Sequence, residues 1–221
     1  MNLSLWADRL EHICRRIFLI GSWVIIPLIL ITVFDVITRK FVFMKIAIAD
    51  SIVGDILSPT KLQEMEWHLH TVLFFFALGY AYIKNSHVRV DVYRETLSPT
   101  RRMRLELWGL MLAAIPYTTL VLYFAAIYAY SSFMIGESSA AMTGIPYRWI
   151  IKSMAVVGLL SLFLACWSMV LRLLVTLYPS HKYPNTGLDK VNQLINHQEV
   201  ADQPFAENEV ETNTLEVKKN D

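Results

Sequence analysis

Cysteine and charge are both scarce in this sequence. Its 221 residues include only two cysteines, Cys14 and Cys166, which lie in different apolar segments, so a disulfide-stabilised secreted scaffold is excluded. Charged residues make up 18% of the chain and hydrophobic residues 55%, which is too apolar for a soluble globular domain. The basic residues flank apolar runs and form no continuous patch, which excludes nucleic acid from the expected partners.

Motifs for catalysis and metal binding are also missing. The chain contains no Gly-rich phosphate loop, no H-E-x-x-H, no C-x-x-C and no G-x-S-x-G. A haem held between two helices needs a histidine on each, but His68 and His70 share one apolar run and the other runs contain none. We therefore predict no enzyme activity, no metal and no cofactor.

What the chain does contain is long uncharged runs. They cover residues 17–34, 67–83, 107–136 and 153–171, with lengths of 18, 17, 30 and 19. Because a helix needs about 20 mostly apolar residues to cross the hydrocarbon core, each run can form a spanning helix. The sequence predicts an all-α membrane protein with four transmembrane helices, at about residues 17–38, 64–84, 106–132 and 150–177.

The distribution of Lys and Arg predicts the orientation. The arm at residues 1–16 carries three arginines and the second loop carries six Lys or Arg, whereas the third loop carries only Arg148. Because cytoplasmic segments retain basic residues, both termini should be cytoplasmic. The first loop opposes this, since Arg39, Lys40, Lys45 and Lys61 lie on the supposed outer side.

The third spanning helix should begin well before the membrane. Ser98 and Pro99 form an N-cap and first-turn pair, and the helix should then run to about Ser132, roughly 50 Å at 1.5 Å per residue. Its basic first turns should project into the cytosol or lie along the lipid headgroups, while Trp108 marks one aromatic belt.

Two further segments differ from the spans. The first loop, residues 41–60, is apolar and lightly charged, which predicts a short interfacial helix. Residues 178–221 hold 4 Lys or Arg against 8 Asp or Glu, and Phe205 is the only aromatic residue after Gly187. Since this composition buries too little apolar area to offset the ordering entropy, we predict a disordered cytoplasmic tail.

Charged residues at the span ends are the candidate functional residues, because such groups are costly in hydrocarbon. Asp35 and Arg39 are spaced i,i+4 and can form an ion pair. The pairs Glu64 with His68 and Glu66 with His70 have the same spacing. These residues either anchor helix ends at the headgroups or pack against another membrane subunit. Within the spans, packing is the expected role of the two cysteines. Four prolines and glycines, Pro27, Gly79, Pro116 and Gly158, can kink helices or permit close approach, and more often serve packing alone.

The order of short motifs resembles a known family. Gln-Glu-Met-Glu-Trp-His-Leu, at residues 63–69, begins a span that reaches Gly79, and His-Val-Arg-Val-Asp-Val follows at residues 87–92. A basic link through Arg101 and Arg102 and a Gly144-Ile145-Pro146 turn then lead through Trp149 into the fourth span. This arrangement is similar to the DctQ-type small permease of tripartite ATP-independent periplasmic (TRAP) transporters. One departure is that Val156 and Val157 precede Gly158, where many relatives carry a proline.

The resemblance implies a partner role. The chain would scaffold a large membrane subunit for uptake driven by an ion gradient, with sodium as the expected ion and an organic acid delivered by a periplasmic binding protein. Membrane lipids are the further expected partner. The resemblance also implies where the contacts with other subunits or the fixed turns should lie: Asp35, Arg39, Glu64, Glu66, His70, His87, Arg89, Asp91, Pro146 and Trp149.

Within this set, Glu66 is expected to accept hydrogen bonds from buried donors at an outer contact. His87, Arg89 and Asp91 should fix the turn into the cytoplasmic link. Two other functions stay open from the residues alone: a haem-binding membrane anchor of an oxidoreductase, and a small self-sufficient exporter.

Overall fold

The computed structural model describes residues 3–41, 43, 46, 54, 57–86, 97–141 and 143–178. Its helices are α1 (Leu3–Trp23), α2 (Ile25–Lys40), α3 (Pro59–Ile83), α4 (Pro99–Gly109), α5 (Ile115–Met134) and α6 (Trp149–Leu177), with a π-helical turn, Leu110–Ala114, between α4 and α5. Within the described ranges there is no strand, which confirms the all-α prediction.

A proline separates α1 from α2. Pro27 has no amide hydrogen and its ring crowds the carbonyl four residues earlier, at Trp23. The chain adapts at Val24, whose amide donates to the Gly21 carbonyl at 3.1 Å instead of to the carbonyl one residue earlier. Residues predicted as an arm and as the start of the first span therefore belong to one helix, α1, which begins at Leu3.

The helix that begins at Pro99 is also interrupted. Ser98 occupies the N-cap position and Pro99 the first turn, as predicted, although the Ser98 side chain makes no capping hydrogen bond. The π-helical turn lies just before Pro116, where it adapts the backbone to the missing amide. The Thr118 and Thr119 hydroxyls donate to carbonyls of the same region, with Thr118 bonding Ala114 at 2.7 Å.

Helix α6 is the centre of the bundle, since it contacts α1, α3, α4 and α5. Its crossing with α3 is so close that side chains would collide. A Cβ on Gly79 would lie 2.6 Å from the Ser161 carbonyl carbon and oxygen, and a Cβ on Gly158 would lie 2.5 Å from the Phe75 carbonyl oxygen. The prediction that these two glycines serve packing is confirmed, because each leaves room for the backbone of the other helix.

Helix α1 packs on the same bundle through small residues. Ala7, Cys14 and Gly21 are its buried positions, each seven residues after the last. The Cys14 thiol donates to the Ser161 carbonyl at 3.3 Å, and the Ser168 hydroxyl donates to the Ala7 carbonyl at 2.9 Å. The predicted packing role of the cysteines agrees with this geometry, since both are free and buried.

Three helical segments are long and apolar enough to cross a membrane: Leu3–Lys40, Pro99–Met134 and Trp149–Leu177. Helix α3 has 25 residues, but its first half carries two glutamates and two histidines that lower its hydropathy. Three of the four predicted spans are therefore confirmed, and the one predicted at residues 64–84 is not. Most of the loop predicted as an interfacial helix, and nearly all of the predicted tail, lie outside the described residues.

Candidate functional site

One glutamate ties α3 to the connection between α5 and α6. Glu64 lies in the second turn of α3 and is buried, with 8% of its surface exposed. Its Oε1 accepts a hydrogen bond from the Ser139 hydroxyl, and its Oε2 accepts one from the Ile145 amide at 2.6 Å. The Arg148 guanidinium lies 3.9 Å from Oε1. We call Glu64, Ser139, Ile145 and Arg148 the Glu64 clamp.

The clamp explains the residues of the Gly144-Ile145-Pro146 turn. A Cβ on Gly144 would lie 2.8 Å from the Glu64 Oε1, so only glycine leaves room for the carboxylate. Ile145 supplies the amide donor, and Pro146, which has no amide hydrogen, follows it and stays exposed. Tyr147 then adopts φ +63°, a conformation uncommon for residues other than glycine, before α6 begins.

A second ion pair lies at the same end of the bundle. Gly136 ends α5 with φ +61°, and the next amide, that of Glu137, bonds the Ser132 carbonyl, as in a Schellman motif. This places the Glu137 carboxylate on the Lys152 ammonium. Lys152 also lies 3.6 Å from the centre of the Tyr128 ring. The hydrogen bond from Lys152 lowers the pKa of Glu137 below its ordinary 4.5.

Of the three i,i+4 side-chain pairs predicted at this end, one forms. Arg39 Nε and Asp35 Oδ2 are 2.7 Å apart, as the spacing predicts. His68 and His70, however, bond the backbone carbonyls of Glu64 and Glu66 and not their carboxylates.

The other predicted residues near this end occupy different positions. The acceptor role predicted for Glu66 is taken by Glu64, and the Oε1 of Glu66 is buried with no hydrogen-bond partner among the described residues. Trp149 opens α6 and packs edge-on against Phe133, with ring centres 5.3 Å apart. His87, Arg89 and Asp91 lie outside the described residues.

The opposite end holds an ion cluster that the sequence did not reveal. Arg172, near the end of α6, is 8% exposed and pairs with Asp8 at 2.9 Å and with Glu11 on α1. The available signal was a lone arginine directly after the last uncharged run, together with acids spaced i,i+3 on the first helix. This cluster fixes the first turns of α1 against α6.

The clamp has the chemistry of a structural contact. Both Glu64 oxygens accept hydrogen bonds from the loop before α6, and these bonds link the start of α3 to that loop. Over the described ranges no group of three or more His, Cys, Asp or Glu side chains could hold a metal ion.

Comparison with known families decides the identity. The family model for the DctQ component of tripartite ATP-independent periplasmic transporters matches residues 28–176, more than half of the chain. This range contains α3 to α5, most of α2 and all but the last residue of α6, whereas α1 lies before it. The chain belongs to the DctQ family. Comparisons with curated proteins and with solved structures returned no match.

Membership in the DctQ family gives the class of function. A DctQ protein is a transporter component and not an enzyme, and the spanning helices make this one a multi-pass membrane protein. In TRAP systems the DctQ component works with a large membrane subunit and a periplasmic binding protein. The clamp residues Glu64 and Ile145 both fall inside the matched range.

Proposed function

We propose that this DctQ protein is the static scaffold of its transporter. It would hold the large membrane subunit in the bacterial inner membrane while that subunit takes up an organic acid, delivered by the periplasmic binding protein, with the sodium gradient. Helix α3 would be the second of four spans, because Glu64 in its polar first half is buried in the clamp and the helix packs against α2 and α6. Both termini would be cytoplasmic.

The close crossing of α3 and α6 is the observation that supports a static role. Their backbones meet at Gly79 and Gly158, and packed interiors resist sliding because no spare volume exists. At both ends, side chains fix the loop or the neighbouring helix: the clamp at one, Arg172 at the other. A bundle fixed at its centre and at both ends suits a support more than a moving gate.

The Lys and Arg counts support the proposed orientation. The arm at residues 1–16 carries three arginines and the second loop carries six Lys or Arg, whereas the third loop carries only Arg148. Because cytoplasmic segments retain basic residues, the arm and the second loop would lie in the cytoplasm. The basic residues of the first loop count against this orientation.

Helix α5 offers the surface for the large subunit. In the segment Pro99–Met134, which contains α5, only 11% of the most apolar 18-residue stretch is buried. Large side chains point away from α6 along its length, among them Tyr117, Leu120, Tyr123, Phe124 and Ile127. We assign this face to the large subunit because aromatic side chains are enriched in the cores of protein interfaces.

Co-purification and transport test the function together. The tagged chain should retain the large subunit in mild detergent, and the reconstituted pair should take up the organic acid only with the binding protein and a sodium gradient. Glu66→Gln and Asp91→Asn should lower assembly and uptake in parallel while the order of preferred solutes stays unchanged. A changed preference with normal assembly, or uptake by this chain alone, would refute the scaffold role.

Labelling tests the orientation. The native cysteines are buried, so Ser138→Cys and Thr100→Cys, both at exposed positions, can be read in the natural background. An impermeant maleimide should reach Ser138→Cys from the periplasm and Thr100→Cys only after permeabilisation. The reverse pattern would contradict the orientation.

A further inference from the structure

Helix α4 carries a stripe that combines arginine with apolar side chains. Arg101, Arg104, Leu105 and Trp108 are spaced i, i+3, i+4 and i+7, so they share one face of the helix. All four are exposed, Leu105 by 48% and Trp108 by 63%. We call these four residues the Arg-Trp stripe.

The opposite face of α4 is fixed to the bundle. Met103 and Leu110 are buried and pack in one cluster with Met169, Val170 and Leu173 of α6. Arg102 turns away from the stripe and donates to the Leu97 carbonyl at 2.9 Å. The stripe therefore faces outward because the other side of the helix is held.

The position of the stripe along the bundle matches a membrane surface. Trp108 is 20 residues before Tyr128, which lies in the polar cluster at the clamp end; this is about 30 Å along the helix, the thickness of the hydrocarbon core. The two arginines lie one to two turns beyond Trp108. On the side of Trp108 away from the spanning segment, Leu105 comes first and the two guanidinium groups follow. The indole thus lies at the level of the interface of a bilayer leaflet, and the guanidinium groups lie at the level of its phosphates.

The stripe also has unused charge. Arg101 and Arg104 have no carboxylate partner in the described part of the chain, whereas Arg172, at the same end, has two. A guanidinium group binds a phosphate oxygen pair through parallel N–H donors. Charge complementarity therefore favours a phosphate-bearing anion at this position.

We infer that the Arg-Trp stripe binds the headgroup of an acidic phospholipid in the cytoplasmic leaflet, with both arginines on the phosphate and Trp108 at the interface. The inference rests on the proposed membrane placement. It adds a lipid site to the scaffold function and requires no change in that function.

Native mass spectrometry of the purified chain, alone and with its large subunit, tests the site. Phosphatidylglycerol should bind more tightly than phosphatidylcholine. The double variant Arg101→Gln/Arg104→Gln should weaken phosphatidylglycerol binding by about tenfold or more, because it removes the hydrogen bonds that the two guanidinium groups donate to the phosphate. Arg101→Lys/Arg104→Lys, which keeps the charge but loses the paired donors, should fall between the two.

The matched control is Arg9→Gln/Arg15→Gln, which removes two exposed cations from α1. It should change the affinity less than threefold. Equal loss in both double variants would show general attraction and overturn the site. Displacement of the lipid by 10-fold excess inorganic phosphate, but not by chloride at equal ionic strength, would show a soluble-anion site and also overturn it.

The large subunit supplies the last comparison. If its presence abolishes phosphatidylglycerol binding to the wild type, the stripe is a protein interface and the lipid site is refuted. If the large subunit fails to co-purify, the scaffold proposal fails instead, while lipid binding by the chain alone still supports the stripe.

Discussion

Gly79→Ala tests the contact on which the bundle depends most. The added methyl group would lie 2.6 Å from the carbonyl carbon and oxygen of Ser161. Carbon atoms in ordinary contact are about 3.5 to 4.0 Å apart, so α3 and α6 must separate by about 1 Å. Because the collision is with backbone, no rotamer change relieves it.

The expected cost is about 1 to 3 kcal/mol, the usual cost of overpacking a close-packed interior. Gly109→Ala is the matched control, since Gly109 is also helical and an added Cβ meets nothing within 4 Å. That change should stabilise the helix by about 0.5 to 1 kcal/mol, because glycine is a poor helix former. The two substitutions should thus have opposite signs.

The measurement is unfolding of all variants in the same detergent, monitored by far-ultraviolet circular dichroism. Ser161→Gly combined with Gly79→Ala adds a stricter test: it removes the hydroxyl but leaves the Ser161 carbonyl, so stability should stay low. Equal stability of the Gly79→Ala and Gly109→Ala proteins would refute the close crossing of α3 and α6.

Three more predictions concern the two ends of the bundle. Glu64→Ala should lower the free energy of unfolding by about 1.5 to 3 kcal/mol, the range for hydrogen bonds to a charged group. It should also speed proteolysis of the loop before α6, whereas the control Glu66→Ala should leave that loop protected. The pKa of Glu137 is lowered in the fold, so its ion pair stabilises above the ordinary value of 4.5 and is lost as the pH falls further; wild type and Glu137→Gln should differ in melting temperature at pH 7 and converge at acid pH. Arg172→Met should be tolerated, but changing both of its carboxylate partners on α1 to amides should cost about 3 to 5 kcal/mol in the same unfolding assay, because a buried cation is left unpaired.

Features set by neighbours in the chain could be predicted from the sequence. Run length and hydropathy locate three spanning segments, and Pro99 and Gly136 mark helix ends through their own backbone preferences. The Asp35 and Arg39 pair follows from helical spacing alone. For the helix ends and the ion pair, the deciding interaction spans fewer than five residues.

Contacts between distant segments could not be predicted in the same way. The choice of Glu64 over Glu66 depends on which side of α3 faces the loop before α6, and that is set by the packing of α3 on α6. The Arg172 cluster joins the first helix to the last for the same reason. The π-helical turn was also missed, because Pro116 indicates a kink without determining how the backbone absorbs it.

The central position of α6 has a consequence for how the chain is made. Helix α6 is the last described helix and contacts α1, α3, α4 and α5. Ribosomes synthesise the N-terminus first, so α1 and α3 enter the bilayer before the surface that covers Gly79 and Cys14 exists. Their small and polar positions must face lipid or the insertion machinery until α6 arrives. A nascent chain that stops before Trp149 should therefore stay unassembled and open to quality-control proteases.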